Sequence, residues 1–308
     1  MGLSQSYGPA DDNVSHQTLS KAVDIGCTFW DTAVVYGTGH NEQLIGDFFR
    51  KTGSRDKVFI ASKCAIECIG ESAGRTITNK PEHIAAYIEG TKERLGSYPD
   101  LYYLHRIDPD TPLEESIPAL QALKTAGKTK YIGLSECSAA TLRKACAIAH
   151  IDALQIEYSP FFTGHEQNGL IDTARELGVT IIAFSPLGRG ILSGRFRSLD
   201  ELPADDYRHT CPVFSKENLP GNLKLVDEFE KLAAKKGCTS SQLALAWVIA
   251  QGAIPIPGTK TSARLVENFG AGNVTLGVDE LKALRVLIEA NKPVGDRYSA
   301  VNMAAVGK

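Results

Sequence analysis

The chain has 308 residues, a size that admits either two ordinary domains or one large α/β domain. Its 33 basic and 36 acidic residues leave a net charge of −3, which removes the electrostatic footprint of a nucleic-acid binder. With 43% apolar and 22% charged residues, a disordered or collagen-like chain is excluded and a sizeable core is expected.

Seven cysteines without a C-x-x-C pair point to free thiols in a reducing compartment, so a cytoplasmic location is expected. The opening MGLSQSYGPADD has neither the basic nor the apolar part of a secretory signal, and no apolar run reaches bilayer length, so no membrane partner is expected. Met1-Gly2-Leu3-Ser4-Gln5-Ser6 fits a myristoylation pattern, and Asn13-Val14-Ser15 and Asn273-Val274-Thr275 fit glycosylation sequons. Patterns this short recur by chance.

In chain order, the spacing predicts a helix over 16–25 and a short strand at Cys27-Thr28-Phe29-Trp30-Asp31. A helix over about 41–50 leads to Val58-Phe59-Ile60-Ala61-Ser62-Lys63, and Pro81 opens another helix before Leu101-Tyr102-Tyr103-Leu104-His105. The rhythm continues through strands at 130–135, 153–157 and 179–184 and ends at Ala253-Ile254-Pro255-Ile256-Pro257. Near-continuous apolar strands separated by helices imply a parallel sheet covered by helices, and its closed form is the TIM (β/α)8 barrel. The run predicts one domain over 1–308 with a lid segment at about 187–221 and a C-terminal helix plus tail at about 278–308. Only seven strands are recognisable, because Gly2, Gly8 and Pro9 break up the stretch ahead of residue 16.

Barrels of this kind take their reacting groups from the C-terminal strand ends and the loops beyond them. Asp31, Lys63 and His105 each end a different strand, and Tyr36 lies five residues past Asp31. Taken singly, Asp31 with Lys63 reads as a structural ion pair and His105 as a hydrogen-bonded rim histidine. Taken together with Tyr36, they read better as an active site. Cys64, Cys68 and His83 lack a fourth ligand at usable spacing, so no metal is expected.

These residues carry a resemblance. Asp31-Thr32-Ala33-x-x-Tyr36-Gly37 with Asn41-Glu42, then Lys63, then His105-Arg106 resemble, in order and spacing, the active-site motifs of the aldo-keto reductase family, notably its NADP-dependent fungal and bacterial members. Similarity continues through Gly133-Leu134-Ser135-Glu136, Gln155-Ile156-Glu157-Tyr158-Ser159, the run 184–190 and Ile256-Pro257-Gly258-Thr259-Lys260. The resemblance implies NADPH-dependent reduction of an aldehyde or ketone, a small-molecule carbonyl substrate such as a small aldehyde or pyridoxal. Tyr36 would be the general acid, Lys63 and Asp31 its tuning pair and His105 a substrate-orienting donor. The chemistry is coherent: a phenol of pKa about 10 gives up a proton inefficiently near neutrality, and an adjacent ammonium favours its phenolate.

Hydride must come from a cofactor, since no side chain supplies one, and a G-x-G-x-x-G fingerprint is absent. The resemblance implies NADP(H) lying across the barrel mouth, its carboxamide on Ser135 and Gln155 and its ring on Phe184, with Ser185, Leu187 and Gly188 alongside. Arg189 sits close enough to the glycine turn to reach the pyrophosphate, while Arg195, Arg197 and Arg208 read as mostly solvated. Gly258, Thr259, Lys260, Thr261 and Arg264 open the last helix, where cations and free N–H groups suit an anion; the resemblance assigns them the 2′-phosphate, with Glu267 and Asn268 toward adenine.

The family normally begins with a hairpin and a first strand that end near a Met-Gly pair, so the barrel is expected to be incomplete at its N-terminal side. Neighbours of the absent strand would expose unpaired backbone groups, and lost side chains of roughly 1.5–3 kcal/mol each would consume much of a stability of about 5–15 kcal/mol. Low stability or weak cofactor binding is therefore expected. Two other functions stay open: a non-catalytic NADPH-binding regulatory subunit, and a Schiff-base aldolase using Lys63 or Lys130. Oligomeric state, monomer or homo-oligomer, is left undetermined.

Overall fold

The apolar runs of the sequence form parallel strands in the computed structural model, which describes residues 1–68 and 75–308. The strands are β1 (Phe29–Asp31), β2 (Phe59–Cys64), β3 (Ile66–Cys68), β4 (Arg75–Ile77), β5 (Leu101–Leu104), β6 (Tyr131–Ser135), β7 (Ala153–Glu157), β8 (Thr180–Phe184) and β9 (Ile254–Pro255). Seven of them make one curled sheet in the order β1-β2-β5-β6-β7-β8-β9, with every neighbouring pair parallel. Among the described residues this is the expected TIM-barrel architecture with seven strands in the curled sheet, β1 and β9 standing at its two ends.

Along β5 the side chains alternate between two cores. Tyr102 and Leu104 join the large outer core under the helices, whereas Leu101 and Tyr103 fill the barrel interior with Ala61, Ala153 and Ile182. Gly133 of β6 is demanded by that interior: a Cβ there would meet the Tyr103 ring at 2.4 Å and the Ala153 carbonyl oxygen at 2.8 Å.

Helices α1 (Asp12–Asp24), α2 (His40–Thr52) and α3 (Pro81–Leu95) lie outside the first strands. α1 begins four residues before the predicted start because Asp11 caps it, accepting from the N–H groups of Asn13 and Val14. Gly46 lets α2 approach α3, since a Cβ would fall 2.0 Å from the Arg94 carbonyl oxygen. The segment 187–221, expected to be a lid, contains four short 3-10 stretches, and the terminal helix spans Val278–Ala290, beginning at the expected residue. The hairpin of β3 and β4 was not anticipated; it follows directly on β2 at the barrel mouth, where Ile66 and Ile77 pack with Val35 and Tyr36. The side chain of Cys68, considered above with Cys64 and His83, lies outside the described residues. Among the described residues no helix is long and apolar enough to cross a membrane.

Candidate active site

Four residue types predicted at the strand ends meet at one place. The β1/β2 register sets Asp31 opposite Ala61, and Lys63, two residues further along β2, reaches back over that offset. Lys63 is fully buried; its ammonium donates to the Asp31 carboxylate, to the Thr32 carbonyl at 2.8 Å and to the Tyr36 hydroxyl at 3.4 Å. Burial works against the charged amine, but Asp31 and Tyr36 outweigh it and hold Lys63 above the ordinary lysine value. His105, just past β5 and buried, meets the Tyr36 ring edge-to-face with centroids 5.9 Å apart.

The loop carrying Tyr36 is braced from two sides. Thr32 donates to Asn41 Oδ1 at 2.8 Å, and Asn41 donates to the Ser4 hydroxyl at 2.8 Å. Gly37 donates its N–H to the Gln5 side-chain oxygen at 2.7 Å. Behind β2, buried Glu42 accepts from Ser62 at 2.5 Å and from Arg94 Nε at 2.7 Å, tying α2 to β2 and to α3.

Gln155 ends up inside this group, donating through Nε2 to Asp31 Oδ2 at 2.8 Å. Ser135, its register partner, accepts from Arg106 at 3.3 Å. Phe184 ends β8 opposite Glu157, and Ser185 follows in a left-handed conformation at φ 48°. Leu187 and Gly188 continue the turn, Gly188 donating its N–H to the Ser185 carbonyl at 2.8 Å.

Arg189 is turned inward. Its guanidinium donates to Glu157 at 3.3 Å, to Cys211 Sγ at 2.7 Å and to the Arg297 carbonyl, and lies 4.5 Å from the Tyr298 ring centroid. Arg297 in turn pairs with Glu136 and Glu157, and the tail is bonded to β6 by Gly307 N–H to the Glu136 carbonyl at 2.7 Å. Burial opposes ionisation of Glu136, yet His165 and Arg297 prevail and hold it far below the usual carboxylate range. Periodicity carried no signal for this tail cluster or for the bracing by Ser4 and Gln5, because both lie in irregular segments whose partners are remote in sequence.

In the last βα loop, Thr261 caps the helix Ser262–Phe269 by accepting from the Arg264 N–H, and Thr259 donates to the Thr261 carbonyl. Gly258 has open space around it, Glu267 pairs with Arg195, and Asn268 is half-buried beside it. Lys260 does not point along the helix entrance; it donates to the carbonyls of Tyr7, Gly8 and Pro9 at 2.5–2.9 Å. Arg264 faces solvent, and burial together with the nearby Arg195 and Arg208 holds it below the ordinary arginine value. Of these, Arg195 pairs with Glu267 and Arg208 with Asp206, and the exposed Arg264 guanidinium at a helix entrance suits an anion.

The comparisons with known proteins agree with this geometry. The Aldo/keto reductase family model matches residues 1–289. The chain belongs to that family. An aldo-keto reductase of Gibberella moniliformis is 54% identical over 100% of this chain and 94% of its own length. The aldo-keto reductase yakc [NADP(+)] of Schizosaccharomyces pombe is 42% identical over 97% of this chain and 89% of its own. Among solved structures, the glycerol dehydrogenase AKR11B4 of Gluconobacter oxydans superposes with a TM-score of 0.85 at 28% identity, covering 96% of this chain and 92% of that one. Membership of the aldo/keto reductase family makes the protein one of a family of oxidoreductases, and the two lysines considered for Schiff-base chemistry fit that role poorly. Lys63 is a buried, paired ammonium, and Lys130 precedes β6 at the far end of the strands, bound to Asp100 at 2.7 Å.

Proposed function

We propose that this aldo/keto reductase reduces a small aldehyde or ketone to the alcohol with NADPH, and that Tyr36 delivers the proton. The observation that carries the reading is the contact of Lys63 with both Asp31 and Tyr36 at the barrel mouth. The dihydronicotinamide, when bound, supplies hydride to the carbonyl carbon. Negative charge then builds on the carbonyl oxygen, where Tyr36 Oη gives its proton and His105 donates a hydrogen bond. The Lys63 ammonium stabilises the phenolate left behind, and Asp31 keeps that ammonium charged and aimed.

For the cofactor, the Ser135 hydroxyl and the Gln155 amide suit a carboxamide, and the Phe184 ring at the end of β8 suits a nicotinamide face. Gly258, Thr259, Thr261 and Arg264 suit the phosphate end, with Glu267 and Asn268 toward the adenine. The printed NADP(+) of the yakc relative supports NADP(H) over NAD(H). Small aromatic and aliphatic aldehydes and pyridoxal form the first panel: loss of NADPH absorbance with any of them supports the reading. No turnover with any carbonyl alongside tight NADPH binding would favour the regulatory-subunit alternative.

A further inference from the structure

The stretch 1–9 has no helix or strand, yet it touches three separate parts of the site. Ser4 and Gln5 accept from Asn41 and from the Gly37 N–H in the Tyr36 loop. The Ser6 carbonyl accepts from the Tyr207 N–H of the lid at 3.1 Å, and the Tyr7 ring lies 5.4 Å from the Arg208 guanidinium. Lys260 binds the carbonyls of Tyr7, Gly8 and Pro9, and its own carbonyl accepts from Thr18 of α1 at 3.3 Å.

We infer that Lys260 is a positioning residue, a clasp that holds residues 7–9 as a strap across the barrel mouth and so seats the Tyr36 loop, and that it does not serve as a ligand of the ribose 2′-phosphate, a role the proposed function already leaves with Arg264. An ammonium has three donors, and here three carbonyls take them. Moving Lys260 onto a phosphate would leave three consecutive carbonyls to find new donors, a loss that opposes the gain. The strap is a poor candidate to stay in place by itself, because Gly8 at φ 75° and Pro9 keep it out of regular structure. Tyr7 is half-buried, and its loss of water pushes its phenol up to about 12. Arg264, by contrast, faces solvent at the helix entrance beside Arg195.

The inference rests on the NADP(H) reading, and its test separates the two. Lys260→Met, Lys260→Arg and Arg264→Met are titrated with NADP+ and NAD+ by quenching of tryptophan fluorescence, and each is melted without ligand. Lys260→Met is expected to lower the melting temperature of the ligand-free protein by about 3 °C or more. It should weaken both nucleotides by a common factor, leaving their ratio within about twofold, with partial recovery in Lys260→Arg. Arg264→Met should weaken NADP+ by about tenfold while sparing NAD+. Gln5→Ala should lower kcat, and adding it to Lys260→Met should lower kcat no further, since both cut the same strap. A selective loss of NADP+ affinity in Lys260→Met, an unchanged melting temperature, or additive kcat losses would each overturn the clasp. If the wild-type protein bound neither nucleotide, the functional reading would fall, and the melting comparison would still decide the role of Lys260.

Discussion

Lys63 Nζ stands 3.4 Å from the Tyr36 hydroxyl, with its remaining protons directed to Asp31 and the Thr32 carbonyl. A single amine thereby links β1, which carries Asp31, to the loop that carries Tyr36. In the proposed reaction, replacing Tyr36 by Phe takes away the proton donor and keeps the ring against His105. Turnover of an aldehyde should fall by about 10²-fold or more, while NADPH affinity, measured by fluorescence, should change less than about threefold. Substantial residual turnover would show that the proton comes from elsewhere.

Lys63→Met leaves the buried Asp31 carboxylate with Gln155 but without its cation. Urea unfolding at neutral pH should show a loss of about 3–5 kcal/mol. Because Lys63 is held above the ordinary value of 10.5, its contribution is fully present below that pH and is lost only as pH rises through the elevated folded value. The gap between wild type and variant should therefore be flat from pH 6 to about 10 and shrink above it.

The Glu136–Arg297 pair has the opposite dependence. Glu136 is held below its ordinary value of 4.5, so its contribution is present above that pH and is lost as pH falls through the depressed folded value. Glu136→Gln should destabilise the protein by about 3–5 kcal/mol near neutrality. It should also speed proteolysis within 293–308, and its deficit relative to wild type should narrow below pH about 4.5. A deficit independent of pH would argue that the amide's shape, not its missing charge, is responsible.

Gly133→Ala places a methyl group 2.4 Å from the Tyr103 ring, and the Ala153 carbonyl oxygen at 2.8 Å blocks the other direction. A destabilisation of about 1–3 kcal/mol is expected. Pairing the change with Tyr103→Leu should recover part of it, whereas a harmless Gly133→Ala would mean that the interior has slack.

Much of the fold and the central site was legible because both follow local rules. Apolar runs such as 153–157 became strands with the predicted bounds, and a strand end is where a barrel places Asp31 and Lys63. The last βα loop, expected to take a phosphate, was legible only in part. Lys260 beside a helix entrance has the composition of an anion ligand, but three carbonyls from residues 7–9 had reached it first, and sequence spacing does not show a contact across 250 residues. Arg189 similarly had the right neighbours and the wrong direction, since Glu157 draws it inward. The hairpin of β3 and β4 escaped notice because strands of three residues are too short for an alternating pattern.

The anchorage of Arg297 on Glu136 and Glu157 bears on how the molecule is made. During translation, Asp31, Tyr36, Lys63 and His105 all leave the ribosome well before residue 297 is synthesised. Until then Glu136 lacks its arginine, and the ends of β6 and β7 are without their covering. A nascent chain can thus hold its chemical groups for much of its synthesis and still be incomplete until Arg297 reaches Glu136 and Glu157.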